Sequence, residues 1–128
     1  MAEFDLLPER IKGVILKMLN PGEGVRMCFI AKGSLSASRD FIVITDARVF
    51  IIDERTMGGW VYANVKGDIP ISDIIGIEVR RKLRDKVLGQ SSLSLKLEGR
   101  EYLIDRASSR EVKRALEIIT SIMGAHHA

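Results

Sequence analysis

The densest chemistry in the chain lies in Arg80-Arg81-Lys82-Leu83-Arg84-Asp85-Lys86, where five cations meet one acid in consecutive positions. Read as the outward continuation of a strand, the alternation sends Arg80, Lys82 and Arg84 to one side and Arg81 and Leu83 to the other. At least three cations then line one surface, which would attract an anionic partner. The competing reading is a solvated edge and loop whose cations discourage strand-to-strand association, and it needs no ligand. Nucleic acid is disfavoured, because aromatic side chains do not interleave with these charges as stacking platforms.

The other reactive residue types are poorly placed for catalysis. Cys28 as a nucleophile would need a histidine beside it, and the only histidines, His126 and His127, stand in the C-terminal tail, so a buried core thiol is the better reading. The two histidines alone cannot complete a metal site; an appended remnant or a frayed end explains them. Asp46, Asp53, Glu54, Asp68 and Asp73 fall at turns and strand ends, where such side chains bond nearby backbone amides, and no EF-hand spacing is present. Gly22-Glu23-Gly24 and Met57-Gly58-Gly59 are too short and wrongly placed to cradle phosphate. Met57, Trp60 and Tyr62 form one cluster of large adaptable side chains. An exposed Trp60 would anchor a partner or dip into a bilayer interface, whereas the favoured alternative buries it in the core. No catalytic residue, metal or cofactor is expected.

These residues have to be positioned by short strands. Residues 25–32, 41–45, 48–53, 60–65, 75–82, 92–98 and 101–107 are alternating or continuous apolar runs separated by turn-forming residues. The runs 41–45 and 48–53 read as central strands of a hairpin. Lys66-Gly67-Asp68 reads as a turn and Ile69-Pro70-Ile71 as an extended edge or lead-in, since proline cannot donate to a ladder. Ile75, Ile77 and Val79 should share one side of the following strand, and Leu93, Leu95 and Leu97 one side of the clearest hairpin.

Two helices flank the strands. Pro8 opens the first, and Ile11, Val14, Ile15, Met18 and Leu19 recur at helical spacing until Asn20-Pro21-Gly22 stops it; its partner surface is not evident, which leaves another subunit as a candidate. The second begins at Ser108, which forms a candidate capping box with Glu111. Val112, Ala115, Leu116, Ile119, Ile122 and Met123 lay a stripe along it up to Gly124.

The bulk composition fits one soluble domain of 128 residues with an aliphatic core, because aromatic residues make up only 5%. The formal net charge of +3 is too small to argue for a polyanionic partner unless the cations cluster. A single cysteine excludes an intramolecular disulfide, and no apolar run reaches the roughly 20 residues of a membrane-spanning helix. A cytoplasmic location, with peripheral membrane contact as the variant, is the expectation.

The hairpin with a Thr-Asp turn, the divergent next segment, the string Ile69-Pro70-Ile71-Ser72-Asp73-Ile74, the basic strand end and the terminal helix together resemble the bacterial and archaeal pleckstrin-homology-like domains, to which GRAM-type barrels are related. The resemblance covers residues 25–124, with residues 1–24 as a leader helix and linker and 125–128 as a flexible tail. It implies a mainly β fold: two near-orthogonal antiparallel sheets of about seven strands, one open end covered by the last helix. Members are lipid-, peptide- or protein-binding modules, and some prokaryotic ones form rings. Those that bind phosphoinositides carry a lysine late in the first strand and basic residues early in the second. Lys32 and Arg39 match the outer positions, but Phe41 stands where a second arginine is wanted, which argues against a specific inositol phosphate site.

The expected function is therefore a non-catalytic interaction module that binds a protein partner or assembles with itself. The alternative is peripheral binding to an anionic membrane through Lys32, Arg39, Arg80, Arg81, Lys82, Arg84 and Lys86, with Trp60 as an interfacial anchor.

Overall fold

Residues 40–45 form a strand with every position buried, and this one fact organises the molecule, because a strand buried on both faces needs cover on both. In the computed structural model, which describes residues 2–32 and 39–126 (backbone alone for Ala2, Arg84, Asp85 and His126), the chain runs α1 (Ala2–Asp5), α2 (Glu9–Met18), β1 (Val25–Ala31), β2 (Asp40–Thr45), β3 (Arg48–Met57) and β4 (Trp60–Pro70). A single 3₁₀ turn (Ile71–Asp73) leads to β5 (Gly76–Arg80), α3 (Leu83–Leu88), β6 (Gln90–Leu97), β7 (Arg100–Ser108) and α4 (Ser109–His126). The strands make two antiparallel meanders, β1-β2-β3-β4 and β5-β6-β7.

The inner faces of the two sheets and one stripe of α4 enclose the main core. Met27, Phe29, Ile42, Ile44, Val49, Ile51 and Ile69 from the first sheet meet Leu93, Leu95 and Ile104 from the second, and Val112, Ala115, Ile119 and Ile122 of α4 close it. The alternation of Leu93 and Leu95 with serines therefore does what its period implies, and the α4 stripe docks as its spacing requires. The helix runs through Gly124 to His126 rather than stopping there, since Gly124 does not adopt the positive φ that ends a helix. Its first residue is Ser109, whose N–H donates to the carbonyl of Gly89 and whose hydroxyl pairs with that of Ser91 at 2.7 Å; the start is thus tied to β6 rather than to the expected Ser108–Glu111 box.

A second core explains the leader helix, and corrects the expectation that it lacks a partner within the chain. Ile11 and Ile15 of α2 are fully buried, with Leu7, against Cys28, Phe41, Val43, Phe50 and Ile52 on the outer face of the first sheet. Burying two isoleucines stabilises this docking by roughly 3–6 kcal/mol, which offsets the weak helix propensity of Gly13. Phe41 is part of this floor, which is why a phenylalanine and not an arginine stands there.

Three local expectations change. Lys66-Gly67-Asp68 is a bulge inside one continuous strand, not a turn: Ile51 pairs with Gly67 and Ile52 with Val65. A side chain at Gly67 would come within 3.2 Å of the Tyr102 ring, so glycine lets β7 pass close to β4. Ile75 precedes β5 and is exposed, leaving Ile77 to pack on the core. Finally, the strand ends at Arg80, and residues 83–88 are helical.

Candidate docking surface

The register gathers the ends of distant segments. Lys32, just past β1, donates its N–H to the carbonyl of Arg106 at 3.1 Å; the N–H of Arg106 donates to Ser92 Oγ at 3.0 Å; and Ser92 pairs with Arg80. Lys32 thus lies at the β1–β7 corner and Arg80 on β5, with β6 and β7 between the two basic segments. Arg39 opens β2 on the same end, its guanidinium 5.9 Å from the Phe41 ring centre. The expected loop residues 33–38 lie outside the described residues.

The cations there are not equivalent. Arg80 is committed to Glu101 at 3.1 Å and Glu78 at 3.6 Å, so it is part of the sheet surface rather than an open anion ligand. Glu78 also holds Lys96 at 2.8 Å, and its carboxyl is lowered chiefly by that hydrogen bond. Lys32, Arg39, Arg81, Lys82 and Lys86 have exposed side chains; that of Arg84 lies outside the described set. Strand alternation does not organise Arg81 to Lys86. Arg81 and Lys82 lie between the elements, and from Leu83 helix α3 takes over, presenting Leu83 (80% exposed) and Val87 (81% exposed) at i and i+4, followed by exposed Leu88. Alternation grouped Leu83 with Arg81 on a strand and did not single out Val87 or Leu88; the four-residue spacing of Leu83 and Val87 was the signal for a helical face.

Beyond Asp53, where β2 ends its pairing, β3 and β4 continue alone as a two-stranded ribbon to the Gly58-Gly59 turn. Trp60 stands at its tip, 79% exposed, beside Met57 at 67%, so the expectation of a buried tryptophan is corrected. The reason is strand length: among the described residues no strand pairs with the outer side of β3 beyond Asp53, so alternation no longer separates an inside from an outside. Pairing puts Met57 with Trp60 and Arg55 with Tyr62 on the side continuous with Ile51, and Val61, Ala63 and Val65 on the side continuous with Ile52. Val61, Tyr62 and Val65 are exposed as well. Val61 and Val65 were not singled out by sequence.

Where the ribbon joins the barrel, two buried carboxylates lie directly opposite each other, Asp40 on β2 and Asp53 on β3. Lys66 Nζ binds both oxygens of Asp40 at 2.8 and 3.0 Å, while Asn64 Nδ2 donates to Asp53 at 3.1 Å and Arg55 Nε at 3.4 Å. These partners offset what would otherwise be a costly pair of like charges. The result is a buried, charge-balanced network in which Lys66 and Arg55 are already committed to carboxylates.

The remaining candidates are chemically quiet. Cys28 is buried beneath the leader segment, and burial, reinforced by Glu3, pushes its thiol up to about 12, far above where a nucleophilic thiolate operates. A groove of about 250 Å³ between α1, β1 and α4 is lined by Leu6, Leu7, Phe29 and Ile30 with Glu3 and Glu111 at its rim; burial and Glu3 raise the Glu111 carboxyl. Among the described residues, no three of His, Cys, Asp or Glu gather in metal-binding range. No helix there is long and apolar enough to cross a membrane.

No protein-family model matches the chain, and no curated protein matches it. Solved structures do. A DUF1696-family protein with a pleckstrin-homology domain from Shewanella loihica superposes with a TM-score of 0.63 at 14% identity, covering 92% of this chain and 94% of that one. A pleckstrin-homology domain from Shewanella amazonensis gives 0.58 at 17% identity over 88% and 85%. At such identities the likeness speaks to the backbone alone, and together with the two meanders and the closing helix it establishes that this chain has the pleckstrin-homology-like fold expected from its order of elements.

Proposed function

We propose that this chain is a non-catalytic binding module that engages another polypeptide, a second copy included, through the β3–β4 ribbon. The observation that carries this reading is the exposed run of Met57, Trp60, Val61, Tyr62 and Val65 on a projecting ribbon. Large aromatic and Met side chains are the residue types that anchor protein interfaces, and exposed apolar area of this kind is disfavoured on a free surface. The test is a photoreactive residue in place of Trp60, irradiated in the producing cell. A covalent adduct to a polypeptide is expected; irradiation that yields no polypeptide adduct overturns the reading.

The second reading, docking on an anionic membrane, is favoured by α3, where Leu83, Val87 and Leu88 are exposed among Arg81, Lys82 and Lys86. Cations near an acidic bilayer gain on the order of 1 kcal/mol each. Sedimentation with phosphatidylserine vesicles at low salt should carry the protein down, and high salt should release it. Protein left in the supernatant at low salt rejects the reading.

A further inference from the structure

The first sheet stops at β4, and the two halves of that edge differ. Its second half carries Lys66, Asp68 and Pro70, the residue types that guard a free edge against pairing. Its first half, Trp60-Val61-Tyr62-Ala63-Asn64-Val65, has six residues in a row without a charge or a proline, rich in β-formers and largely exposed. A strand of that composition left unpaired is an association site.

We propose that this half of β4 pairs antiparallel with the same segment of a second copy, continuing the four-stranded sheet across a two-fold axis at Ala63. This rests on the ribbon reading and names its occupant. A two-fold perpendicular to the sheet keeps each side of the sheet on its own side, so residues facing the same way must oppose each other. With the axis at Ala63, Ala63 opposes its own copy, and Val61 of one copy opposes Val65 of the other on the helix-covered side. On the other side Tyr62 opposes Asn64, and Trp60 reaches Lys66, whose charge Asp40 already balances at 2.8 Å. The register matches exposed valines in pairs, sets a cation against an indole and opposes no like charges. The strand is its own electrical complement, neutral against neutral, which a charged foreign peptide is not.

Light scattering on the full chain should give twice the 14.3 kDa chain mass. The double variants Val61→Lys with Val65→Lys, and Val61→Glu with Val65→Glu, should each be monomeric while retaining the wild-type circular dichroism spectrum. An equimolar mixture of the two should regain the doubled mass, because every lysine then opposes a glutamate. Ala63→Cys, which needs no charged substitution, should form a disulfide-linked dimer under mild oxidation, while the wild-type chain with only buried Cys28 does not. A monomeric wild-type chain at all concentrations overturns the proposal, as does a dimer that persists in both charged variants. A monomeric chain that still gives position-60 adducts with a different polypeptide overturns self-pairing and leaves the ribbon reading standing.

Discussion

Arg48 and Glu23, twenty-five residues apart, form a two-pronged ion pair: Nη2 lies 2.7 Å from Oε1 and Nε 3.1 Å from Oε2. The same guanidinium reaches Asp68 at 3.2 Å and the carbonyl of Met18, and stacks 4.6 Å from the Phe50 ring centre. Glu23 also accepts from the Thr45 hydroxyl at 2.6 Å and from the N–H of Asn20 at 3.0 Å. One side chain thus ties the end of α2, the segment leading to β1, the β2–β3 turn and β4 into a single unit.

Removing that hub should be costly, because both partners are largely shielded from water. Arg48→Ala is expected to lower stability by about 3 kcal/mol, since it leaves the largely buried Glu23 carboxylate, and Asp68 beside it, without their shared cation. Arg48→Lys should recover only part, as an ammonium cannot make the forked contact. Urea unfolding midpoints with unchanged slope are the measurement; a loss below about 0.5 kcal/mol would show that the network does not hold the leader helix in place.

The same pair sets an acid dependence. Hydrogen bonding from Arg48 holds the Glu23 carboxyl down at about 2, below its ordinary 4.5. A group depressed in the folded state contributes fully above its unfolded pKa and loses that contribution as the pH falls towards the folded one, so the stabilisation should fade between about pH 4.5 and 2. Urea midpoints measured across that interval should fall less steeply in Glu23→Gln than in the wild type. Equal slopes would refute the assignment.

Docking of α2 should behave as core packing. Ile15→Ala is expected to cost about 2–5 kcal/mol, the range for a fully buried aliphatic residue truncated to a methyl group. Leu16→Ala, on the exposed side of the same helix, should stay within about 0.5 kcal/mol apart from helix propensity. Comparable losses for the two would mean that the helix is not seated on the sheet.

In the monomeric Val61→Lys, Val65→Lys chain, Trp60→Ala should leave the melting temperature almost unchanged and remove the sole indole emission, which in that monomer is expected at a water-exposed wavelength. A blue-shifted monomer spectrum would contradict the exposed ribbon tip.

Cys28 should resist thiol reagents at pH 8 in the folded protein and react at once in denaturant, since burial both blocks access and disfavours the thiolate. Prompt labelling of the native chain would show that the leader segment opens.

What the residues determined unaided is everything that depends on short-range period. Alternation placed Leu93 and Leu95 on an inner face, four-residue spacing placed Val112, Ala115 and Ile119 on one stripe, and the order of these elements already resembled the fold that the superpositions bear out. The continuous apolar run of β2 even carried the requirement for cover on both faces, although not the identity of the cover. Tertiary structure decided the rest, because exposure at a given position depends on what lies across from it. Trp60 is bare since β2 stops at Asp40 while β3 runs on to Met57, a mismatch in strand length that no local pattern encodes. Arg80 is neutralised since β7 brings Glu101 alongside, and Leu83 and Val87 share a helical face only because the chain leaves the sheet at Arg81. Propensity over six residues is too weak to choose that turn of helix over another stretch of strand; the neighbouring strands make the choice.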